Sequence, residues 1–368
     1  MIKEILADLV RIDSVSSRSN VEMIEYLERR CQAMNLVTQR FPYFDEHGIE
    51  KINLIALSRR TEEVELALVG HTDTVPYDPN WTEATNLTER NDKLYGRGSC
   101  DTKGFIAAAL TAMENVKPNK PLALIFTADE EIGLRGAKRL AETKPLRVRY
   151  SIVGEPTSLK PIRAGKGYSL AEVIVKGREA HSAYPALGAS AVFRAARLIA
   201  RLESIATQLI QDQHPAFEPP YTTLNIGLIH GGSAKNVLAG ECRFTLEWRP
   251  IPTQPSEHLL DLFKAAIDEE TKADPDFQCE VDANRQDTGF ETAPDSPLIR
   301  LLEKETGLES GTVAFGTEAA QMMALGSESV VIGPGNIREA HRTGEFVPVD
   351  ELERCAKILQ TVVKQLCS

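Results

Sequence analysis

Pro121-Leu-Ala-Leu-Ile-Phe-Thr-Ala-Asp-Glu-Glu-Ile-Gly133 passes from an apolar run directly into three consecutive acids. Leu122–Phe126 reads as a buried strand, and Glu130 and Glu131 stand just beyond its end. Neighbouring carboxylates repel, and the end of a buried strand is a costly place for them. A shared cation removes that cost. Other ligand types occur in similar places. His71 and Asp73 close Glu65-Leu-Ala-Leu-Val-Gly-His-Thr-Asp-Thr-Val-Pro76, Glu155 closes Tyr150-Ser-Ile-Val-Gly-Glu-Pro156, and His341 follows Val330-Val-Ile-Gly-Pro-Gly335. Asp101 lies instead in a Gly-rich turn, Tyr95-Gly-Arg-Gly-Ser-Cys-Asp-Thr-Lys-Gly104, ahead of a helix. Taken singly, these residues read as a core histidine, a solvated acidic loop and a helix N-cap. Taken together they read as one site, because open α/β sheets bind ligands beyond the carboxyl ends of their strands.

To the N-terminal side of that strand, apolar spacing predicts a first helix through Ile2, Ile5, Leu6, Leu9 and Val10. A second helix follows Ser19-Asn-Val-Glu22, a capping-box pattern. Strands 52–57 and 64–69, helix 105–116, strand 122–126, helix 135–142 and strand 151–153 then alternate, which predicts a mostly parallel, covered sheet. From about Gly167 the order becomes strand 169–175, helix 189–202, strands 222–229 and 242–248, helix 258–267 and strand 277–281. That β-α-β-β-α-β order is the ferredoxin-like split βαβ unit. Helix 297–306, strand 329–332 and helix 350–366 return to α/β character. The expected architecture is therefore an α/β catalytic domain, residues 1–166 and 284–368, carrying an inserted ferredoxin-like α+β lid domain, residues 167–283.

The 368 residues are 42% hydrophobic and 26% charged, with a net charge of −11, the composition of a globular protein. The acidic balance and the lack of a dense Lys/Arg cluster argue against nucleic acid and anionic membranes as partners. Six cysteines without paired spacing exclude a thiolate zinc site and suit a reducing cytoplasm. The N-terminal stretch lacks the basic start and cleavage site of a signal peptide.

Carboxylates and imidazoles without thiolates suit zinc, cobalt or manganese, with Zn²⁺ the default for a hydrolytic centre. The ligand candidates outnumber the positions of one tetrahedral ion. A bridging carboxylate lets them hold two ions about 3.5–4 Å apart, which polarise a carbonyl and acidify a water between them. A carboxylate beside that water serves as general base, so the paired Glu130 and Glu131 divide into one ligand and one base. Asp73, two residues past His71, is placed to orient the imidazole.

The strings His71-Thr-Asp-Thr-Val-Pro76, Gly96-Arg-Gly-Ser-Cys-Asp-Thr-Lys-Gly104, Asp129-Glu-Glu-Ile-Gly133, Gly154-Glu-Pro-Thr157 and Ala340-His341 resemble the dimetal amidohydrolase and peptidase family. The resemblance covers nearly the whole chain, in order. Gly154-Glu-Pro-Thr-Ser-Leu-Lys-Pro161, Thr223-Leu-Asn-Ile-Gly-Leu-Ile-His-Gly-Gly232, Gly316-Thr-Glu-Ala319, Ile332-Gly-Pro-Gly335 and Glu339-Ala-His341 with Glu345-Phe346 resemble its acetylornithine deacetylase branch more closely. The resemblance implies that His71, Asp101 and Glu155 hold one metal and Asp101, Glu131 and His341 a second, with Asp101 bridging. It implies Glu130 as general base and His181, in Gly177-Arg-Glu-Ala-His-Ser182, as an oxyanion donor from the lid. Asn236 and Arg249 resemble substrate contacts, Arg249 being suited to a carboxylate. Glu318 is the carboxylate of these motifs left to meet a substrate's distal ammonium. A cis bond at Asp101–Thr102 is also implied.

The implied reaction releases acetate from N2-acetyl-ornithine, a step of arginine biosynthesis. The same chemistry on acetylcitrulline, succinyl-diaminopimelate, another N-acyl amino acid or a dipeptide is the alternative. The chain departs from its relatives at Thr102, where many carry Met, and at Arg342-Thr-Gly-Glu-Phe346. A binding protein that has lost catalysis is the reading from another class, and the full ligand set weighs against it. Monomer and homodimer both stay open.

Overall fold

A computed structural model describes residues 1–114 and 116–368. The chain forms two compact units, one of Met1–Arg163, Glu291–Gly311 and Thr317–Ser368, the other of Ala164–Phe290 and Thr312–Gly316.

In the first unit the strands lie in the order Val37–Phe44, Glu50–Leu57, Leu122–Thr127, Glu63–His71, Arg147–Val153, Glu328–Val331. The last four are parallel, and the first two form an antiparallel hairpin laid against Leu122–Thr127. Leu122–Thr127 is buried at every position, as a near-continuous apolar strand must be when both faces are covered. Helices Ile2–Arg11, Val21–Ala33, Lys103–Met113, Pro297–Thr306 and Val349–Leu366 share one apolar core with it. Strand register brings the acids and His71 to one edge. His71 pairs with Thr127, Val69 with Val153, and Val153 with Val331, so Glu130, Glu131 and Glu155 leave the sheet at the same carboxyl edge as His71.

The strand Val37–Phe44 was not anticipated. Its residues Thr38, Gln39, Arg40 and Pro42 break the apolar alternation, and an edge strand needs little of it. The capping box is also corrected. Helix Val21–Ala33 starts at Asn20 without a side-chain cap. The Asn20 amide is spent on the strand opposite: Nδ2 donates to Ile52 O and Oδ1 accepts from Ile52 N–H, both at 2.9 Å. Ser19 donates instead to Glu50 O.

The second unit carries strands in the order Thr223–Gly231, Glu241–Arg249, Tyr168–Lys176, Gln278–Asp287, each antiparallel to its neighbour. Helices Ala191–Leu209 and His258–Ala273 close an apolar core of their own over Trp248, Phe244 and Phe263. This is the ferredoxin-like order. Where the chain leaves and re-enters the first unit, Thr292 N–H donates to Arg163 O at 2.8 Å, and the Arg163 guanidinium pairs with Glu291 at 2.8 Å. Among the described residues no helix is long and apolar enough to cross a membrane.

Candidate metal centre

His71 ends its strand wholly buried, and its Nδ1–H donates to the main-chain carbonyl of Asp73 at 2.9 Å. That bond leaves Nε2 to face the Asp101 carboxylate, 3.0 Å from Oδ1. His341 Nε2 approaches the other oxygen of the same carboxylate, Oδ2, at 3.1 Å, and Glu131 Oε2 also at 3.1 Å. Ligand atoms of His71, Asp101 and Glu131 all lie within 4.8 Å of one another. The helix Lys103–Met113 begins at Thr102 without a side-chain cap, so the Asp101 carboxylate is not consumed by capping. The Asp101–Thr102 peptide is cis. Thr102 Oγ1 donates to Gly154 O at 2.9 Å, and a Cβ on Gly154 would fall 2.1 Å from Phe105. Only glycine lets the Glu155 strand end pack that closely on this helix.

The Asp73 carboxylate does something the sequence did not indicate. It lies 3.8 Å from His71 Nδ1, because the short His71–Asp73 turn places the carbonyl there instead. Oδ1 accepts from Glu130 N–H at 3.0 Å, and Oδ2 accepts from Ser16 Oγ–H at 2.7 Å and Glu131 N–H at 3.3 Å. Asp73 therefore holds the backbone of the two adjacent glutamates. Asp129, at φ +57°, fixes the residue before them. Its carboxylate is fully buried, paired with Lys51 Nζ at 2.8 Å and accepting from Tyr43 O–H at 2.9 Å. Lys51 also donates to Ser16 O at 2.5 Å and Arg18 O at 2.8 Å. Nothing in the sequence marks Lys51 as buried, since lysine inside a strand reads as a surface position.

Electrostatics show how short of positive charge the cluster is. Burial, together with the charges of Glu131, Glu318 and Asp101, pushes the Glu130 carboxyl well above its ordinary range. Burial and then Asp101 and Glu130 do the same to Glu155. Burial also raises Glu131, although His341 works against it. Burial alone would raise Asp101, but hydrogen bonds from His341 and His71 outweigh it and hold the carboxyl low. Hydrogen bonding to Asp101 and Glu131 lifts His341 to about 10. Crowded oxygens and imidazoles of this kind, without thiolates, fit a divalent cation.

Glu318 belongs to the same unit and is 1% exposed. Neither of its carboxylate oxygens has a hydrogen-bond partner; Thr127 is near enough to lower its pKa but out of bonding geometry. Burial leaves the carboxyl at about 7. His181, Asn236 and Arg249 lie in the second unit. His181 and Asn236 are exposed neighbours, joined by Ser182 N–H donating to Asn236 O at 3.0 Å. His181 Nδ1 accepts from Ala183 N–H at 3.1 Å, so the neutral ring carries its proton on Nε2. Arg249 stacks on Tyr168, with its Nε donating to Glu247 at 2.8 Å. All six cysteines are free, and burial raises the Cys100 thiol well above its ordinary value.

The model of peptidase family M20/M25/M40 matches residues 67–365. The chain belongs to peptidase family M20/M25/M40. This M20 chain is a hydrolase, and its His71, Asp101 and Glu131 form a cluster whose ligand atoms are close enough to hold a metal ion. It is 49% identical over 370 residues to an acetylornithine deacetylase of Myxococcus xanthus, covering 100% of this chain and 97% of that one. A second acetylornithine deacetylase, from Klebsiella pneumoniae (strain 342), is 34% identical, covering 99% of this chain and 97% of its own. A tripeptidase from Staphylococcus aureus shares the M20 fold with a TM-score of 0.77 at 23% identity, covering 100% of this chain and 98% of that one. A dinuclear metal-binding M20 peptidase of Bacillus subtilis does so with a TM-score of 0.65 at 14% identity, covering 99% and 97%.

Proposed function

We propose that the protein is an acetylornithine deacetylase, hydrolysing N2-acetyl-L-ornithine to L-ornithine and acetate in the cytoplasm. The observation that carries the reading is the approach of two imidazoles to separate oxygens of one carboxylate, His71 to Asp101 Oδ1 and His341 to Asp101 Oδ2. A bridging ligand between two ions is built that way. In this reading His71, Asp101 and Glu155 hold one ion and Asp101, Glu131 and His341 the other, with Zn²⁺ the first choice and Co²⁺ or Mn²⁺ the alternatives. When bound, the ions supply Lewis acidity to the amide carbonyl and to the attacking water.

The chain's own groups do the rest. Glu130, whose backbone Asp73 fixes, takes a proton from the water as its oxygen adds to the acetyl carbon. It returns that proton to the nitrogen as the C–N bond breaks. His181, with its proton on Nε2, donates to the oxyanion from the residue 167–283 insert, which acts as a lid. Arg249 takes the substrate carboxylate, and Asn236 contacts the substrate beside it. Glu318 selects the distal ammonium, a cation that would offset the burial of its unpaired carboxylate.

Hydrolysis assays on acetylornithine, acetylcitrulline, succinyl-diaminopimelate and simple dipeptides, with Zn²⁺ or Co²⁺ supplied, test the reading. A larger kcat/KM for acetylornithine than for the others is expected. A preference for acetylcitrulline or a dipeptide would keep the chemistry and overturn the substrate.

A further inference from the structure

Glu345 is a carboxylate with no place in the proposed reaction, and it is completely enclosed. Its Oε1 accepts from Cys100 N–H at 2.9 Å and Asp101 N–H at 3.0 Å. Its Oε2 accepts from Arg97 Nη1 at 2.5 Å. Arg97 is itself 4% exposed, and Nη2 donates to Pro76 O at 3.3 Å. The backbone joins in: Gly96 N–H donates to Glu345 O at 3.1 Å, and the next residues, Phe346–Pro348, pair antiparallel with Lys93–Tyr95.

Burying an ion pair costs several kcal/mol per ion before attraction and hydrogen bonds are counted, and an apolar pair of like volume is often as stable. Stability is a weak reason for this pair. Its placement offers a better one. His341 and Glu345 are four residues apart on one segment. His341 reaches the Asp101 carboxylate, and Glu345 reaches the Asp101 main-chain N–H. One short segment thus grips the same aspartate at both ends. His341 has the left-handed φ of +60°, and its side chain is 50% exposed, so burial does little to hold the imidazole in place. The Glu345 grip sets the distance between the His341 backbone and Asp101, and Arg97 keeps the Glu345 carboxylate aimed.

We propose that Glu345, held by Arg97, is a positioning residue that registers His341 against Asp101 and so sets the affinity for a divalent cation at the Asp101–Glu131–His341 position. The proposal rests on the two-ion reading of the site. Glu155 and His71 make no bond to Glu345 or Arg97 among the described residues, so the ion they share with Asp101 should be affected less than the one that also needs His341.

The test is a titration of Zn²⁺ into chelator-stripped full-length protein, followed calorimetrically, with Co²⁺ visible absorption as a second readout. Unmodified protein should take up two equivalents. Glu345→Gln keeps an acceptor for the amide N–H groups but loses the oxygen that Arg97 holds, and should bind one of the two equivalents about 10- to 100-fold less tightly. Its Co²⁺ absorption should change mainly for that equivalent. Arg97→Lys keeps a cation but loses the fork, and should give a smaller loss of the same kind, a readout that survives if Glu345→Gln fails to fold. Unchanged affinities in folded variants overturn the proposal, whatever happens to the melting temperature. Equal weakening of both equivalents also overturns it. If the unmodified protein binds one equivalent only, the two-ion reading falls. The positioning role is then judged on that single affinity, and an unchanged value in both variants ends it.

Discussion

Asp73→Asn separates what this side chain does from what its main chain does. Oδ1 and Oδ2 accept from the N–H groups of Glu130 and Glu131 at 3.0 and 3.3 Å. Asparagine has one carbonyl oxygen. With it on Glu130, the new NH₂ faces the Glu131 N–H; turned over, it faces the Glu130 N–H. Either way one donor meets another, while the Ser16 hydroxyl adapts by rotating. One buried N–H is left unmade, at about 1–3 kcal/mol. If the misplaced turn is felt only in the transition state, kcat falls by about 5- to 150-fold. His71 should be spared, since its Nδ1–H is held by the Asp73 carbonyl, which the substitution leaves in place. The assay is steady-state hydrolysis of acetylornithine beside metal content by mass spectrometry. A fall in kcat with metal content near the parent value is expected. Parental kcat would refute the argument, and so would loss of metal that accounts for the whole fall, because the carboxylate would then act through His71.

Glu130→Gln should keep its metal and lose about 10²- to 10⁴-fold in kcat, since proton transfer goes while the ligands stay; turnover near the parent rate would remove Glu130 from the base role. His181→Ala should lower kcat by about 10²- to 10³-fold with little change in KM, and a change confined to KM would count against an oxyanion donor. Glu318 bears on both pH and substrate. Its carboxyl is raised from 4.5 to about 7, so it adds stability below about pH 4.5 that is lost as pH rises through 7. In metal-stripped protein, melting temperature should therefore fall across that window, and Glu318→Gln should flatten the fall, by about 3 kcal/mol at most. A parental pH slope in the variant would contradict this. In metal-loaded protein the same variant should erode the preference for acetylornithine over acetylmethionine by about 1–3 kcal/mol in kcat/KM; an unchanged ratio would leave side-chain selection to other groups.

What the sequence disclosed were features with a period or a composition. The parallel strands are apolar on both faces, so Leu122–Thr127 and Glu63–His71 could be read with their ends, and the residues just past those ends came with them. The antiparallel insert could be read from its element order. What stayed hidden depends on partners distant in sequence. Lys51, Lys103 and Lys166 are almost wholly enclosed, yet lysine is ordinarily a surface residue. Each is satisfied by carbonyls from elsewhere in the chain: Ser16 and Arg18, Ile12, and Pro219 and Tyr221. Glu345 shows in the sequence only as part of a resemblance string; its pairing with Arg97, 248 positions away, does not. Asp73 was rightly placed near His71, but no spacing could tell its carbonyl from its carboxylate.

The junction at Arg163 and Thr292 gives the longer of the chain's two excursions an unusual freedom. Both ends are stapled side by side by a 2.8 Å backbone bond and a neighbouring ion pair. Seen from the strands that lead to His71 and Glu131, everything between those residues is one large loop whose ends are already closed. Loop-closure entropy grows slowly, by about 0.6 kcal/mol for each doubling of length. Lengthening, trimming or exchanging that segment should therefore cost the ligand-bearing sheet little. Arg163–Thr292 is a natural splice point at which a different insert could be grafted onto the same sheet.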